Sequence, residues 1–332
     1  MTRVLIAGGY GVVGSWIARE LRAAHPNLGL VIAGRNPESG GRLAAEVGAE
    51  TARLDVGDPE TGLKQIGPVD LVVASLQDPG DNLAMAALAG GAGYITITQG
   101  PDSLSLLAIA SRRAGRPALV LSYWLAGATT FAAMEAAKAR MSVERIELAA
   151  LYDPADPIGP MTASDSAGFF GAGALVRQGA AWVREDPTAG ARTISRRDAP
   201  PFEARSMSVL DVPGLAATTL APNIRFDLGV GPSMGALRGG GASTEIYIDL
   251  WGQDRAGDPR ALRTVVSDPK GQAHLTALGV VIGSERLLGL DGEPPLGPGI
   301  AFPEDSIDSA YATRRLRELG VTIERLEMEN RL

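Results

Sequence analysis

The chain has 332 residues, of which 45% are hydrophobic and 21% charged, with a formal net charge of −7. That length suggests two domains with ample core, and an acidic chain without a Lys/Arg-rich run is not expected to bind nucleic acid. Cysteine is absent and there are two histidines, His25 and His274, which excludes disulfides, cysteine nucleophiles and a multi-histidine metal centre; no metal is expected.

The apolar run after Arg3 is short and enters a glycine cluster, unlike a signal peptide. No stretch approaches the roughly 20 apolar residues of a membrane span. The expectation is a soluble cytoplasmic protein with no membrane partner.

Residues 2–7 read as a buried parallel strand. Gly8-Gly9-Tyr10-Gly11-Val12-Val13-Gly14 follows, and then a helix with Val13, Ile17, Leu21 and Ala24 on one face, ended by Pro26. Strand, glycine turn and helix together have the form of a dinucleotide-binding turn. The glycines let the backbone approach a pyrophosphate, and the helix N-terminus offers free N–H groups and a positive dipole end. Cofactor contacts are therefore expected from Gly8, Gly9, Tyr10, Gly11, Val12, Val13 and Gly14. Two glycine spacings coexist. Gly9, Gly11 and Gly14 give the tight dinucleotide pattern, and Gly8, Gly11 and Gly14 the looser one of extended short-chain enzymes.

Leu28 to Ala33 reads as the second strand, stopping at Gly34-Arg35-Asn36-Pro37. NAD-selective folds usually place Asp or Glu here, against the ribose 2′-hydroxyl. Arg35 stands there instead, and a guanidinium suits a 2′-phosphate. NADP (NADPH) is the expected cofactor, ahead of NAD, with Gly34, Arg35 and Asn36 in contact with it. A solvated loop arginine is the alternative. A helix from Pro37 to Val47 and a strand from Thr51 to Leu54 follow. Asp55-Val56 ends that strand, where an adenine ring commonly rests; Asp55 would accept from the adenine amino group, or cap a helix starting near Pro59. Val69 to Ala74 is a fourth strand, and Ser75 and Leu76 follow at the carboxyl end of the sheet, where ligands bind. Asn82–Leu88 and Ser103–Ala114 read as helices, Gly93–Thr98 and Pro117–Leu121 as strands. This alternation over about 120 residues predicts a doubly wound parallel sheet of the Rossmann type, in the α/β class.

The rhythm then changes. Gly127 to Met141 reads as an Ala-rich helix. Alternating runs follow at Ile146–Leu151, Ser206–Val209, Thr244–Leu250 and Thr264–Val266, with helices expected at Asp165–Val176 and His274–Leu288. This predicts a second, α+β domain with a mixed or antiparallel sheet. Glu293 to Gly299 is a Pro/Gly-rich connector, Asp305–Leu319 an amphipathic helix, and Val321–Leu326 a short strand.

Together these segments resemble the saccharopine dehydrogenase-like family of NAD(P)-dependent oxidoreductases. The glycine loop and Arg35 carry the likeness, as does Gly93-Tyr94-Ile95-Thr96-Ile97-Thr98-Gln99-Gly100, which is similar to a strand ending in Thr-Gly-Glu, with Gln99 and Gly100 departing from it. Thr162 to Trp182, Pro200-Pro201-Phe202, Asn223-Ile224-Arg225-Phe226 and Gly299-Ile300-Ala301-Phe302-Pro303-Glu304 are also similar to family segments. The resemblance implies an NADP-binding domain completed by the C-terminal helix, and a central domain that mediates dimerisation and covers the substrate. The expected division is 1–124, cofactor domain; 125–298, substrate and dimerisation domain; 299–332, a segment returning to the first domain. A homodimer is expected.

Relatives of this kind act on imines, among other substrates. A protonated imine needs no strong acid at the hydride step, whereas a ketone does. None of the six tyrosines begins a Tyr-x-x-x-Lys pattern; the residue four after Tyr311 is Arg315. Tyr123 and Trp124 follow the sixth strand at the expected rim of the cofactor cleft. Tyr123 is a candidate catalytic residue and Trp124 a candidate substrate contact, or both are packing aromatics. Asp153, also taken as a catalytic candidate, and Asp156 would bind a substrate amine or simply form a turn. Arg225 would grip a substrate carboxylate or make a structural salt bridge. His274 lies among apolar residues and reads as a core histidine. The expected function is an NADP-dependent oxidoreductase acting on an imine or carbonyl of a small amino-containing metabolite. The alternative is a non-catalytic NADP-binding sensor or partner-binding protein.

Overall fold

The computed structural model describes residues 1–138, 142–159, 173–186 and 191–328. The chain divides into two compact units, Met1–Ser122 with Thr276–Ile307, and Tyr123–Leu275 with Asp308–Leu332. Strands are numbered β1 to β16 along the chain.

The first unit is built on a seven-stranded sheet. Its strands are β1 (Arg3–Ala7), β2 (Gly29–Gly34), β3 (Glu50–Arg53), β4 (Leu71–Ala74), β5 (Gly93–Thr96), β6 (Pro117–Val120) and β15 (Gly299–Ala301), in the order β15-β6-β5-β4-β1-β2-β3. Every pairing is parallel. A parallel sheet is covered on both faces, so its central strands are apolar throughout: Val4–Ala7 and Leu71–Ala74 are fully buried. From β1 the chain builds outward through β2 to β3, then returns past β1 to β4. The order therefore reverses between β1 and β4, and ligands of open α/β sheets bind at the carboxyl ends beside such a reversal. This is the α/β Rossmann arrangement.

Among its described residues the second unit holds a nine-stranded mixed sheet. Its strands are β7 (Ser142–Tyr152), β8 (Ala174–Gln178), β9 (Ala181–Glu185), β10 (Arg192–Ile194), β11 (Phe202–Ser206), β12 (Asn223–Val230), β13 (Thr244–Gln253), β14 (Pro259–Asp268) and β16 (Thr322–Glu327). The order is β10-β11-β12-β7-β13-β14-β16, with the β8–β9 hairpin joined to β12. Only β7 and β12 pair in parallel among these strands. The helix Ala128–Ala137 packs on β13 and β14 and between the helices Asp211–Thr219 and Ser309–Glu318. Its enclosure explains its small, apolar composition: Thr129, Phe131, Ala133 and Ala136 are completely buried.

Several expectations change. The helix expected over Asp165–Val176 falls partly outside the described residues, and its described end is strand β8. The family-like segment Thr162–Trp182 is likewise described only from Gly173, where it forms β8 and the start of β9. The strand expected at Ser206–Val209 lies earlier, at Phe202–Ser206. The C-terminal helix is split into Pro303–Ser306 and Ser309–Glu318, the second capped by Asp308, whose carboxylate accepts from the Tyr311 amide at 2.8 Å.

The domain boundaries are corrected as well. The helix Gln272–Leu288 begins in the second unit and ends in the first. Its later turns press on the parallel sheet: a Cβ on Gly283 would lie 2.6 Å from Leu121, and one on Gly93 would lie 2.8 Å from Leu287. Buried Glu285 on this helix meets His25 Nε2 at 2.9 Å. Of the tail expected to return to the first domain, only 299–307 does so, through β15 beside β6. The rest joins the second unit, because β16 pairs with β14 and the helix Ser309–Glu318 covers Ala128–Ala137.

Candidate functional site

The first unit shapes a cradle at the β1/β4 reversal. Gly8 has φ of 76° and turns the chain out of β1, its amide donating to Ala33 O at 2.9 Å. The Gly11 amide donates back to Gly8 O at 2.9 Å, and the helix Val12–Ala24 starts at once with Gly11 as its N-cap. A Cβ on Gly14 would sit 2.2 Å from Gly8 O, so the helix can lie against the turn only without one. Among the described residues, no backbone acceptor takes the amides of Val12, Val13 or Gly14, and the first turn carries no acidic residue. Unpaired N–H groups at a helix N-terminus favour an anion. The cradle thus fits a diphosphate.

Ser75 closes one side. Its hydroxyl donates to Ala7 O at 2.8 Å, and its carbonyl lies 2.9 Å from where a Cβ on Gly8 would be. Leu76 presents its carbonyl to the Thr98 hydroxyl at 3.0 Å. On the other side, the Tyr10 ring lies over Gly34, and the Asn36 amide donates to Tyr10 Oη at 3.0 Å. Arg35 is exposed, and no hydrogen bond or ion pair with the described residues engages it. Asp55 does not cap the following helix; Asp58 does, accepting from the Thr61 amide. Asp55 instead closes its own turn through Oδ1 and the Gly57 amide at 3.0 Å, with Val56 half-buried beside it.

Sequence reasoning missed a polar group at the carboxyl ends of β4, β5 and β6. The Gln99 side-chain amide donates to Asp81 Oδ1 at 2.8 Å and to Ser103 Oγ, while the Gln99 backbone amide donates to Ser122 Oγ at 2.6 Å. Asp81 is buried, with φ of 57°. The signal was the turn cluster Asp78-Pro79-Gly80-Asp81 in the loop that follows β4. The departure of Gln99 from a Thr-Gly-Glu ending now has a physical reason. A Thr-Gly-Glu ending would carry glycine at this position, with no side chain to donate, whereas the Gln99 amide supplies the donor that Asp81 and Ser103 accept from.

The second unit reassigns two candidates. Asp153 is buried, with Oδ2 accepting from the Ser233 amide at 2.8 Å and its hydroxyl at 2.6 Å, and Oδ1 accepting from the Ala155 amide at 2.9 Å. Burial pushes its carboxyl up, but these donors outweigh that and hold it below the usual range. It organises a loop, with both carboxylate oxygens engaged by protein donors. Arg225 makes a forked pair with buried Asp227, at 2.6 Å from Nη2 to Oδ1, and also pairs with Glu185 at 3.2 Å. Arg192 binds the same Asp227 from the other side. Arg225 lines a pocket of about 390 Å³, but its charge is already matched; it makes the structural salt bridge and not a free carboxylate grip.

Tyr123 is buried, and its carbonyl accepts from the Ala126 amide. Trp124 donates its amide to Asp211 Oδ2 at 2.7 Å, and its ring lies 5.2 Å from that of Phe226. His274 is a buried histidine with polar partners: Nδ1 meets Asp268 Oδ2 at 2.6 Å and Nε2 meets Lys270 Nζ at 3.2 Å. Among the described residues, no group of His, Asp and Glu could hold a metal ion, and no helix is long and apolar enough to cross a membrane.

No family model and no curated protein matches the sequence. Among solved structures, the chain is similar to apo saccharopine dehydrogenase (L-Glu forming) from Saccharomyces cerevisiae. The TM-score is 0.75 at 13% identity, over 99% of this chain and 100% of that one. The chain has the fold of saccharopine dehydrogenase. It is also similar to an amine dehydrogenase from Mycobacterium smegmatis, with TM-score 0.54 at 12% identity over 92% of this chain and 96% of that one. GenD2 from gentamicin A biosynthesis, solved in complex with NAD, gives 0.51 at 14% identity over 99% and 96%. At such identities the likeness is one of fold, and function must be argued from the site. Within this fold the chain has the glycine turn and helix N-terminus at the β1/β4 reversal, an arginine beside them that is engaged by no hydrogen bond or ion pair among the described residues, and a hydrogen-bonded polar rim at β4–β6.

Proposed function

We propose that the chain is an NADP-dependent oxidoreductase that transfers a hydride to or from an imine or carbonyl of a small amino-containing metabolite. One observation carries this reading: the glycine cradle, with its unpaired helix amides, stands beside an exposed arginine that has no protein partner among the described residues. The amides of Val12, Val13 and Gly14 hold the diphosphate, and Arg35 holds the 2′-phosphate. A bound nicotinamide supplies or takes the hydride. Tyr123 and Trp124 orient the substrate. The missing Tyr-x-x-x-Lys pattern favours an imine, which needs no strong acid, and the amine dehydrogenase among the neighbours in fold supports that choice.

The internal pairing of Asp153 and Arg225 favours a second reading, an NADP-binding sensor without turnover. A screen that follows NADPH absorbance with paired amines and carbonyls separates the two. Turnover supports the enzyme; tight NADPH binding without turnover on any pair supports the sensor. For the cofactor, NADPH is expected to bind at least about tenfold more tightly than NADH, which corresponds to about 1.4 kcal/mol. Arg35→Ala is expected to abolish the difference, and equal affinities in the unmutated protein overturn the assignment. We also propose a homodimer, which sedimentation equilibrium tests.

A further inference from the structure

Tyr10 stands in the glycine loop, where a small residue would suffice for the turn. Its side chain does not follow the loop. It crosses to the end of β2, where the Asn36 amide donates to its hydroxyl at 3.0 Å. Gly34 makes room for this crossing. A Cβ on Gly34 would lie 2.3 Å from Tyr10 Oη and 2.6 Å from Cζ, and one on Gly40 would lie 3.2 Å from the ring. The ring is therefore seated on the two glycines of the β2 turn and pinned at its tip. Gly34 and Asn36 flank Arg35, and among the described residues no hydrogen bond or ion pair directs the Arg35 side chain.

We propose that Tyr10 is a specificity-determining positioning residue: its hydroxyl clasps the Asn36 amide and fixes the turn that aims Arg35 at a 2′-phosphate. The clasp ties the loop that holds the diphosphate to the turn that reads the ribose. The spacing between the two phosphate sites is then set by one side chain. A backbone fixed before binding loses less entropy when the ligand arrives. This inference rests on the cofactor reading above.

Calorimetric titration with 2′,5′-ADP and with 5′-AMP, which differ only in the 2′-phosphate, tests it, using the full chain, Tyr10→Phe and Gly34→Ala. The phenylalanine keeps the ring and removes the acceptor; the alanine displaces the ring. The unmutated protein is expected to favour 2′,5′-ADP at least tenfold. Both variants are expected to lose at least fivefold of that margin, with 5′-AMP affinity in Tyr10→Phe changed less than twofold and an unaltered melting temperature. A merely structural role would weaken both nucleotides alike, and that result overturns the proposal. So does a Tyr10→Phe variant that keeps the margin, or an unmutated protein that binds both nucleotides equally. An unmutated protein that binds neither nucleotide overturns the cofactor reading itself, and the clasp with it.

Discussion

Asp156 is buried in the second unit, and its Oδ2 accepts from the Gln272 amide at 2.7 Å. Burial raises its pKa to about 6, the Gln272 amide opposes this, and the charges of Asp153 and Asp268 add to the rise. The folded state therefore keeps a proton that the unfolded chain releases near the ordinary aspartate value of about 4. Stability from this group is complete below about pH 4 and is lost as pH rises through about 6. Its ionised form costs on the order of 1–3 kcal/mol. Urea unfolding of the unmutated protein should show that decline between pH 4 and 7, and Asp156→Asn should flatten it. An unchanged slope in the variant would assign the decline to other groups. The sequence shows Asp153 and Asp156 only as acids flanking a proline. Their partners, Ser233 and Gln272, are far along the chain, so neither the pairing nor the shift was legible. Arg225 differs. Its partner Asp227 is two residues along the same strand, hence on the same face, and that spacing made the ion pair readable.

The turn between β6 and the helix Ala128–Ala137 is an unusual element. Leu125 and Ala126 have φ of 51° and 52°, and Gly127 has 90°. Left-handed backbone costs a residue with a side chain roughly 1–2 kcal/mol. Buried Asp211 holds the turn from both sides, accepting from the Trp124 amide and the Thr130 hydroxyl, each at 2.7 Å. Asp211→Ala removes both charge-assisted bonds and is expected to destabilise the protein by about 3 kcal/mol or more. Denaturant unfolding measures the loss. Near-UV dichroism should change with it, since Trp124 packs beside Phe226; an unaltered spectrum would show that another contact holds the turn. Nothing local announces this element, because the helix that supplies Asp211 contains Pro213 and Gly214 and forms through burial against Ala128–Ala137 and β12. In the first unit, by contrast, the central strands β1, β2 and β4 are short, nearly continuous apolar runs, and the strand–helix alternation is local. That is why the parallel sheet and its strand–glycine turn–helix start could be read directly, while the β8–β9 hairpin could not.

At the scale of the molecule, the chain leaves the parallel sheet after β6, returns within the helix Gln272–Leu288, and leaves again after Ile307. Which unit owns the tail depends on which sheet edge is open, a property of the assembled fold and not of any segment. Residues 322–327 carry apolar side chains only at Ile323 and Leu326, so nothing in the segment itself selects an edge. Their place is set by pairing with β14 from Ser267↔Thr322 to Leu262↔Glu327. Buried Ala312 and Leu316 set that of the preceding helix. Deleting Asp308–Leu332 strips β14 of this neighbour and uncovers Ala128–Ala137, yet removes no strand from the parallel sheet. Calorimetry should show the transition of the second unit lowered or lost. The first unit should keep a transition that 2′,5′-ADP still raises, because the cradle at Gly8–Gly14 and the turn at Arg35 have their partners within 1–122. If the truncated chain no longer responds to the nucleotide, the tail completes the cofactor unit after all, as the family resemblance implied.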